Sequence, residues 1–377
     1  MHFLAVNNIG NFMNKSCINP FTRCLAKLLE EEPVACLISD AVWHFTQLVA
    51  DGLKLPRIVL RTSSMSCIPV YAALPSLGEK DDFKTSIQQE WAPELALMTK
   101  MDIKKICNDK SEESKLLLIS NTIKGTKAAS AMIVNTFKEL EEPAFLAISL
   151  DFRIPTFPIG PFHKYFPASS SSLLEPDKRS ISWLDVQPNS SVVYVSFGSI
   201  ALLGEVEFTN MAWGLANSKQ RFLWVIRPGS VSGSEWLELL PKGFIEEVGE
   251  RGCVVKWAPQ QEVLAHQAIG AFWTQNGWNS TLESICEGVP MICSPCSYDQ
   301  PINARYVTDV WKIGVMLDNG MDREEIARSI KRVIVDKEGN EMIQRSKSLQ
   351  KKVSLSLQEG GSAHQSLESL VDYIIHF

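Results

Sequence analysis

The sequence predicts an α/β chain with doubly wound parallel sheets, on three observations. Short apolar runs rich in β-branched residues alternate with longer helical patterns, as βαβ units do. The runs fall into two series, divided by a proline- and serine-rich stretch without periodicity, Ile154–Asp177. The length, 377 residues, allows two ordinary domains or one large one.

In the first series, Val34–Ser39 and Arg57–Leu60 read as buried strands. Pro20–Glu31, Ala41–Gly52, Asp102–Cys107 and Leu117–Ala131 read as helices. The second series opens with VVYVSFG, Val192–Gly198. It continues through strands at Phe222–Ile226, Cys253–Lys256, Ile269–Trp273, Met291–Ser294 and Gly314–Leu317. Between them fall helices at Glu205–Asn217, Gln260–His266, Ser280–Glu287, Ile302–Trp311, Arg323–Val335 and Glu341–Leu357. A last helix, Ser366–Phe377, follows the Gly360-Gly361 break. The expected divisions are a first domain over 1–160, a linker over 161–180, a second domain over 181–360 and a closing helix within 361–377. Sheets of this kind bind ligands beyond the carboxyl ends of their strands.

Composition removes several classes. A net charge of −6 argues against a nucleic-acid or polybasic membrane partner. No apolar run reaches the length of a membrane helix. The first sixteen residues lack the basic lead and continuous apolar stretch of a secretory signal. Nine scattered cysteines suit reduced thiols in a cytoplasmic protein, and Cys293-Ser294-Pro295-Cys296 is a lone C-x-x-C without a second pair. Sequons occur at Asn14, Asn189 and Asn279, and without secretion they carry no meaning.

Trp257 to Gln300 reads WAPQQEVLAHQAIGAFWTQNGWNSTLESICEGVPMICSPCSYDQ. Its fixed points are Trp257-Ala258-Pro259-Gln260, His266, Gly277-Trp278-Asn279-Ser280, Glu283, Gly288-Val289-Pro290 and Asp299-Gln300. The segment resembles the donor-binding box of plant family-1 UDP-glycosyltransferases. CLISDAVWHF, KLPRIVLRTSS, VSFGS and FLWVIRPG share the resemblance. It implies the GT-B architecture, two Rossmann-like domains facing across a cleft. The acceptor would bind the first domain and the UDP-sugar the second, with the closing helix returning to the first. The implied reaction moves glucose from UDP-glucose to a hydroxyl of a small lipophilic plant metabolite, inverting the anomeric carbon. No metal or other cofactor is expected.

The residues suit those roles. Trp257 follows a strand, and its flat apolar face matches a flat base. The resemblance implies that it stacks on uracil while the Ala258 backbone bonds the base edge. Gln260 is in reach of a ribose hydroxyl. Gly277-Trp278-Asn279-Ser280 opens a helix, whose N-terminal N–H groups and partial positive charge attract a diphosphate. Gly277 lets the backbone come close, and Asn279 and Ser280 add side-chain contacts. Ser280-x-x-Glu283 also spells a capping box. That cap is compatible with a ligand contact for Ser280 but not for Glu283, which the resemblance assigns to the ribose. Ser199 is implied near the phosphates, and Asp299 and Gln300 at the sugar hydroxyls.

Two departures stand against the pattern. The family has a phosphate-contacting histidine where this chain has Gln275. The family also opens with a strand, a Gly-His-x-x-Pro loop carrying the catalytic base, and a helix. No such sequence occurs in the 377 residues. Asp40, which would orient that histidine, is present at a strand end. One helical stretch precedes the first strand, where the family has two or three more βα units of about 30 residues each. The expectation is an N-terminally truncated member with impaired transfer. The alternative is a nucleotide-sugar-binding protein without turnover that pairs with a full-length relative. His44, one helical turn past Asp40, is the first substitute base to consider. For His266, capping its own helix is expected. A shortened first sheet is expected to leave a strand edge exposed.

Overall fold

The computed structural model describes residues 10–74, 96–107, 112–166, 174–199, 202–231, 240–317 and 321–377. The readings made on the first nine residues lie outside these, as does 167–173 within the expected linker. The chain divides into two compact units. One comprises Met1–Phe162, Ser297–Ile302 and Lys352–Phe377; the other comprises His163–Cys296 and Asn303–Lys351.

The first unit holds a four-stranded parallel sheet in the order β1-β2-β3-β4. Its strands are β1 Leu37–Asp40, β2 Arg57–Arg61, β3 Ala131–Val134 and β4 Thr156–Pro158. Helices α1 (10–16), α2 Ile18–Glu31 and α3 Phe45–Leu53 come early, then α4 Cys67–Ala73, α5 Lys100–Cys107, α6 Glu112–Lys127 and α7 Glu142–Phe152. Two expectations are corrected here. The helix expected to run to Ala131 ends at Lys127, and Ala131 begins β3. All four β3 residues are buried, so the alternation that marks a strand is absent from the sequence. The stretch Ile154–Asp177, expected to lack regular structure, contains β4 and a 3₁₀ turn, Phe162–Lys164. Proline is tolerated there because β4 is an edge strand. Asn14 is interior rather than a surface sequon. Its amide nitrogen donates to the carbonyls of Gly10 (2.9 Å) and Val42 (3.0 Å), and its oxygen accepts from Phe45 N (3.1 Å).

The second unit holds six parallel strands in the order β10-β9-β8-β5-β6-β7. These are β5 Val192–Ser196, β6 Arg221–Val225, β7 Gly252–Val255, β8 Ile269–Thr274, β9 Met291–Cys293 and β10 Gly314–Met316. The helices are α8 Arg179–Leu184, α9 Glu205–Ser218, α10 Phe244–Val248, α11 Gln260–Ala265, α12 Trp278–Cys286, α13 Gln300–Arg305, α14 Arg323–Ile334 and α15 Lys337–Leu357, of which α13 and α15 straddle the unit boundary. A π-helical turn, Tyr306–Val310, continues α13. One sheet face presents Val193, Val195, Trp224, Trp273 and Ile292 to Phe208, Met211 and Leu215 of α9 and to Ile326 and Ile330 of α14. Strand residues of opposite parity are buried too, because a parallel sheet is covered on both sides. Helices α9 and α14 pack closely at Gly214, where a Cβ would lie 2.6 Å from Ile326 Cγ2.

The closing helix α16, Ser362–Ile375, starts at Gly361 as its N-cap. Leu370 joins Ile58, Ala131, Ile133 and Phe157 in the first unit's core. The Tyr373 hydroxyl donates to the Ser130 carbonyl at 2.9 Å. No helix among the described residues is long and apolar enough to cross a membrane.

Candidate functional site

The site begins where β8 ends. Asn276 takes a left-handed conformation, φ 62°, which asparagine tolerates better than most residues. Its position is fixed on three sides. Its N–H donates to Thr274 Oγ1 (3.2 Å), its side-chain amide reaches Cys293 Sγ (3.3 Å), and its carbonyl accepts from Asn303 Nδ2 (3.0 Å). The chain therefore turns sharply into α12, with Gly277 as N-cap. Gly277 brings no side-chain cap and no acidic residue lies in the first turn of α12, whose start carries the partial positive charge of a helix N-terminus.

Gln275 lies buried beside that terminus. Thr274 Oγ1 donates to its Oε1 at 3.2 Å. Its Nε2 sits between two glycines: a Cβ would be 2.4 Å away if placed on Gly198 and 3.4 Å away on Gly277. Gly198 also has φ +67°, so the turn after β5 needs glycine for both conformation and room. Ser199 follows, exposed in the same turn. A shallow pocket at the carboxyl ends of β5 and β6 is lined by Ser196, Phe197, Gly198, Trp224, Arg227 and Ser230.

Trp257 is half-buried in the turn after β7, and its carbonyl accepts from Asp177 N at 2.9 Å. Ala258 is buried. Gln260 opens α11 and is the centre of a polar network. Its Oε1 accepts from the Tyr194 hydroxyl (3.2 Å), and its Nε2 donates to Ser280 Oγ (2.9 Å) and Glu283 Oε2 (2.7 Å). Gln261 Nε2 donates to the other oxygen, Glu283 Oε1, at 3.2 Å. Burial raises the Glu283 carboxyl above the ordinary range, while both glutamine amides and the Lys164 charge draw it back. The expected capping box does not form. Ser280 is the third residue of α12, not its cap, and Glu283 faces α11 instead of folding back. Trp278 is buried and stacks obliquely near Trp311, their centroids 6.4 Å apart, while Asn279 is exposed. His266 ends α11 but does not cap its carbonyls. Its Nδ1 accepts from Ala268 N (3.1 Å), and its Nε2 lies 3.2 Å from Asp185 Oδ1.

Asp299 and Gln300 belong to the first unit, not to the 181–360 body in which the sequence placed them. The segment is held there by Lys115, whose ammonium lies 4.4 Å from the Tyr298 ring centre. Gln300 Oε1 accepts from Ser297 N at 3.0 Å. Asp40 ends β1. Its Oδ1 accepts from Val42 N (2.8 Å) and its Oδ2 from the Thr62 hydroxyl (3.3 Å). Arg57, pushed down to about 10 by burial, is held charged by Asp40 and Asp51. No hydrogen bond joins Asp40 to His44 among the described residues, and burial together with Arg57 lowers the His44 pKa. Gln261 and Tyr194 are the contributors that sequence reasoning missed. A glutamine on a helix and a tyrosine within a buried strand give no sequence signal of a shared partner.

Parallel sheets with a glycine-flanked helix start beyond a strand's carboxyl end are the arrangement in which α/β proteins bind ligands. Comparison with known proteins narrows that class. The sequence model described as "UDP-glucoronosyl and UDP-glucosyl transferase" matches residues 164–354. The chain is 51% identical to UDP-glycosyltransferase 76G1 of Stevia rebaudiana over 349 residues, covering 92% of this chain and 75% of that protein. It is 44% identical to UDP-glycosyltransferase 76C4 of Arabidopsis thaliana over 372 residues, covering 97% and 82%. Among solved structures it resembles Phytolacca americana UGT2 complexed with UDP-2fluoro-glucose and pterostilbene. That match has a TM-score of 0.78 at 28% identity and covers 94% of this chain and 80% of that one. Os79 from O. sativa in complex with UDP shares the fold, with a TM-score of 0.83 at 24% identity, covering 99% and 86%. The chain belongs to the plant family-1 UDP-glycosyltransferases and has their GT-B type of fold.

Proposed function

We propose that this chain binds UDP-glucose and carries the machinery for transferring its glucose, with inversion, to a hydroxyl of a small lipophilic acceptor. The observation that carries this reading is the Gln275 amide nitrogen held between Gly198 and Gly277 at the start of α12, a terminus with a glycine N-cap and no acidic residue in its first turn. That cradle supports a diphosphate at the helix terminus, contacted by Gln275, Ser199, Asn279 and Ser280. Uracil then stacks on Trp257, and Glu283 with Gln260 receives the ribose hydroxyls. Asp299 and Gln300 are assigned to the glucose hydroxyls, a carboxylate that accepts beside an amide that does both. No metal is assigned a role. Every described cysteine carries a free thiol, which suits a cytoplasmic location.

Asp40, at the end of β1, is assigned to orient a general base. A positioned general base contributes roughly 10²–10⁴-fold. The second reading, a donor-binding protein without turnover that pairs with a full-length relative, is favoured by one observation. β1 ends the first sheet with Ile38 46% exposed. Calorimetry tests donor binding: Trp257→Ala should weaken UDP at least tenfold, and equal binding by both chains would sink the stacking assignment. Release of UDP from UDP-glucose in the presence of an alcohol acceptor separates slow transfer from none.

A further inference from the structure

Glu283 is not an isolated carboxylate waiting for ribose. A carboxylate offers about four lone-pair directions, and two are already occupied. Gln260 takes one on Oε2 at 2.7 Å, and Gln261 takes one on Oε1 at 3.2 Å. The two donors are consecutive residues at the first turn of α11, so a single helix start grips both oxygens. Gln260 is itself fixed, since the Tyr194 hydroxyl occupies its oxygen and Ser280 takes a second bond from its nitrogen. The Gln261 side chain turns its amide nitrogen to Glu283. With both oxygens held, the carboxylate cannot rotate about its last bond without losing a charge-assisted hydrogen bond. Its two remaining lone pairs then point in fixed directions, as a pair of neighbouring hydroxyls requires.

From this geometry we infer that Gln261 is a positioning residue for ribose recognition, setting the orientation and charge of Glu283 without touching the nucleotide. The inference rests on the proposed assignment of Glu283 to the ribose hydroxyls. It extends the donor-binding constellation by one residue that makes no ligand contact of its own. It also joins nucleotide affinity to pH through Glu283, which accepts both ribose hydroxyls only when ionised. An amide that bonds the ionised form lowers the carboxyl pKa. Removing Gln261 therefore raises that pKa, and the acid loss of binding begins at higher pH.

The test uses calorimetry on the full chain with two probes, UDP and 2′,3′-dideoxy-UDP. Gln261→Leu should weaken UDP roughly five- to tenfold, the scale of one hydrogen bond to a charged group. Binding of the dideoxy probe should be unchanged, and the acid limb of the UDP profile should move up in pH. Gln261→Glu, which keeps the size but places a like charge beside Glu283, should cost UDP more than Gln261→Leu does. Equal losses for both probes, or no loss for either, would overturn the inference, since a merely structural role does not discriminate by ribose hydroxyls. Glu283→Gln is the control for the underlying reading. If it leaves the ratio of UDP to dideoxy-UDP affinity at the wild-type value, the ribose assignment itself fails. If it collapses that ratio while Gln261→Leu does not, only the positioning role fails.

Discussion

Gln275 offers a neutral amide at the position where the family resemblance implies an imidazole. Hydrogen bonds to charged partners contribute ~1.5–3 kcal/mol and neutral ones ~0.5–1.5. Gln275→His should therefore tighten UDP up to about tenfold, with a larger gain near pH 6, where the ring is partly charged. Calorimetry at two pH values checks this, and unchanged or weaker binding would show that the cradle around Gly198 has closed on the amide. Legibility at this scale follows chemistry that repeats along the chain. Trp257, Gly277 and Glu283 stand out because their spacing is a recurring motif. Gln261 and Tyr194 do not, because their partners lie 22 and 66 residues away and are met through Glu283 and Gln260. Ser280 is not a cap because the start of α12 is set by the left-handed backbone of Asn276, which no side-chain pattern announces.

Among the elements, α9 and α14 pack closely against the second sheet and each other, and Gly214 permits it. A methyl there would overlap Ile326 Cγ2 and Cβ, at 2.6 and 2.7 Å. The higher helix propensity of alanine, about 1 kcal/mol, works in the opposite direction. The overlap involves branch atoms of a buried β-branched side chain, so it should prevail. Gly214→Ala is expected to lower stability by about 1–3 kcal/mol, measurable by urea unfolding; a stabilised variant would refute the packing argument. The strands β5 to β10 were readable because each is an apolar run bounded by turn residues. β3 and β4 were not. The first follows a run of alanines that continues a helical pattern, and the second lies between prolines that only an edge position tolerates.

At the scale of the whole molecule, the sheet of the first unit ends at β1, which has no strand beyond it among the described residues. Ile38 on that strand is 46% exposed, with Val42 and Leu48 exposed nearby. An open strand edge with apolar neighbours is a template for pairing with another chain. Ile38→Lys should raise the monomeric fraction seen by size-exclusion chromatography with light scattering. An unchanged distribution would show that self-association, if any, uses another surface. The sequence pattern does not reveal which side chains line this edge, because β1 is only half buried and lacks a clean alternation.

The placement of α16 has a consequence for the order in which this protein is made. Leu370 and Tyr373 complete a core whose other members, Ile58, Ala131, Ile133 and Phe157, are translated far earlier. The second unit, drawn from His163–Cys296 and Asn303–Lys351, is fully synthesised before those two residues leave the ribosome. The half of the molecule that begins emerging first is thus the half that finishes folding last. Throughout synthesis its sheet keeps an apolar face uncovered, and it is during this interval that the nascent chain most needs protection from aggregation.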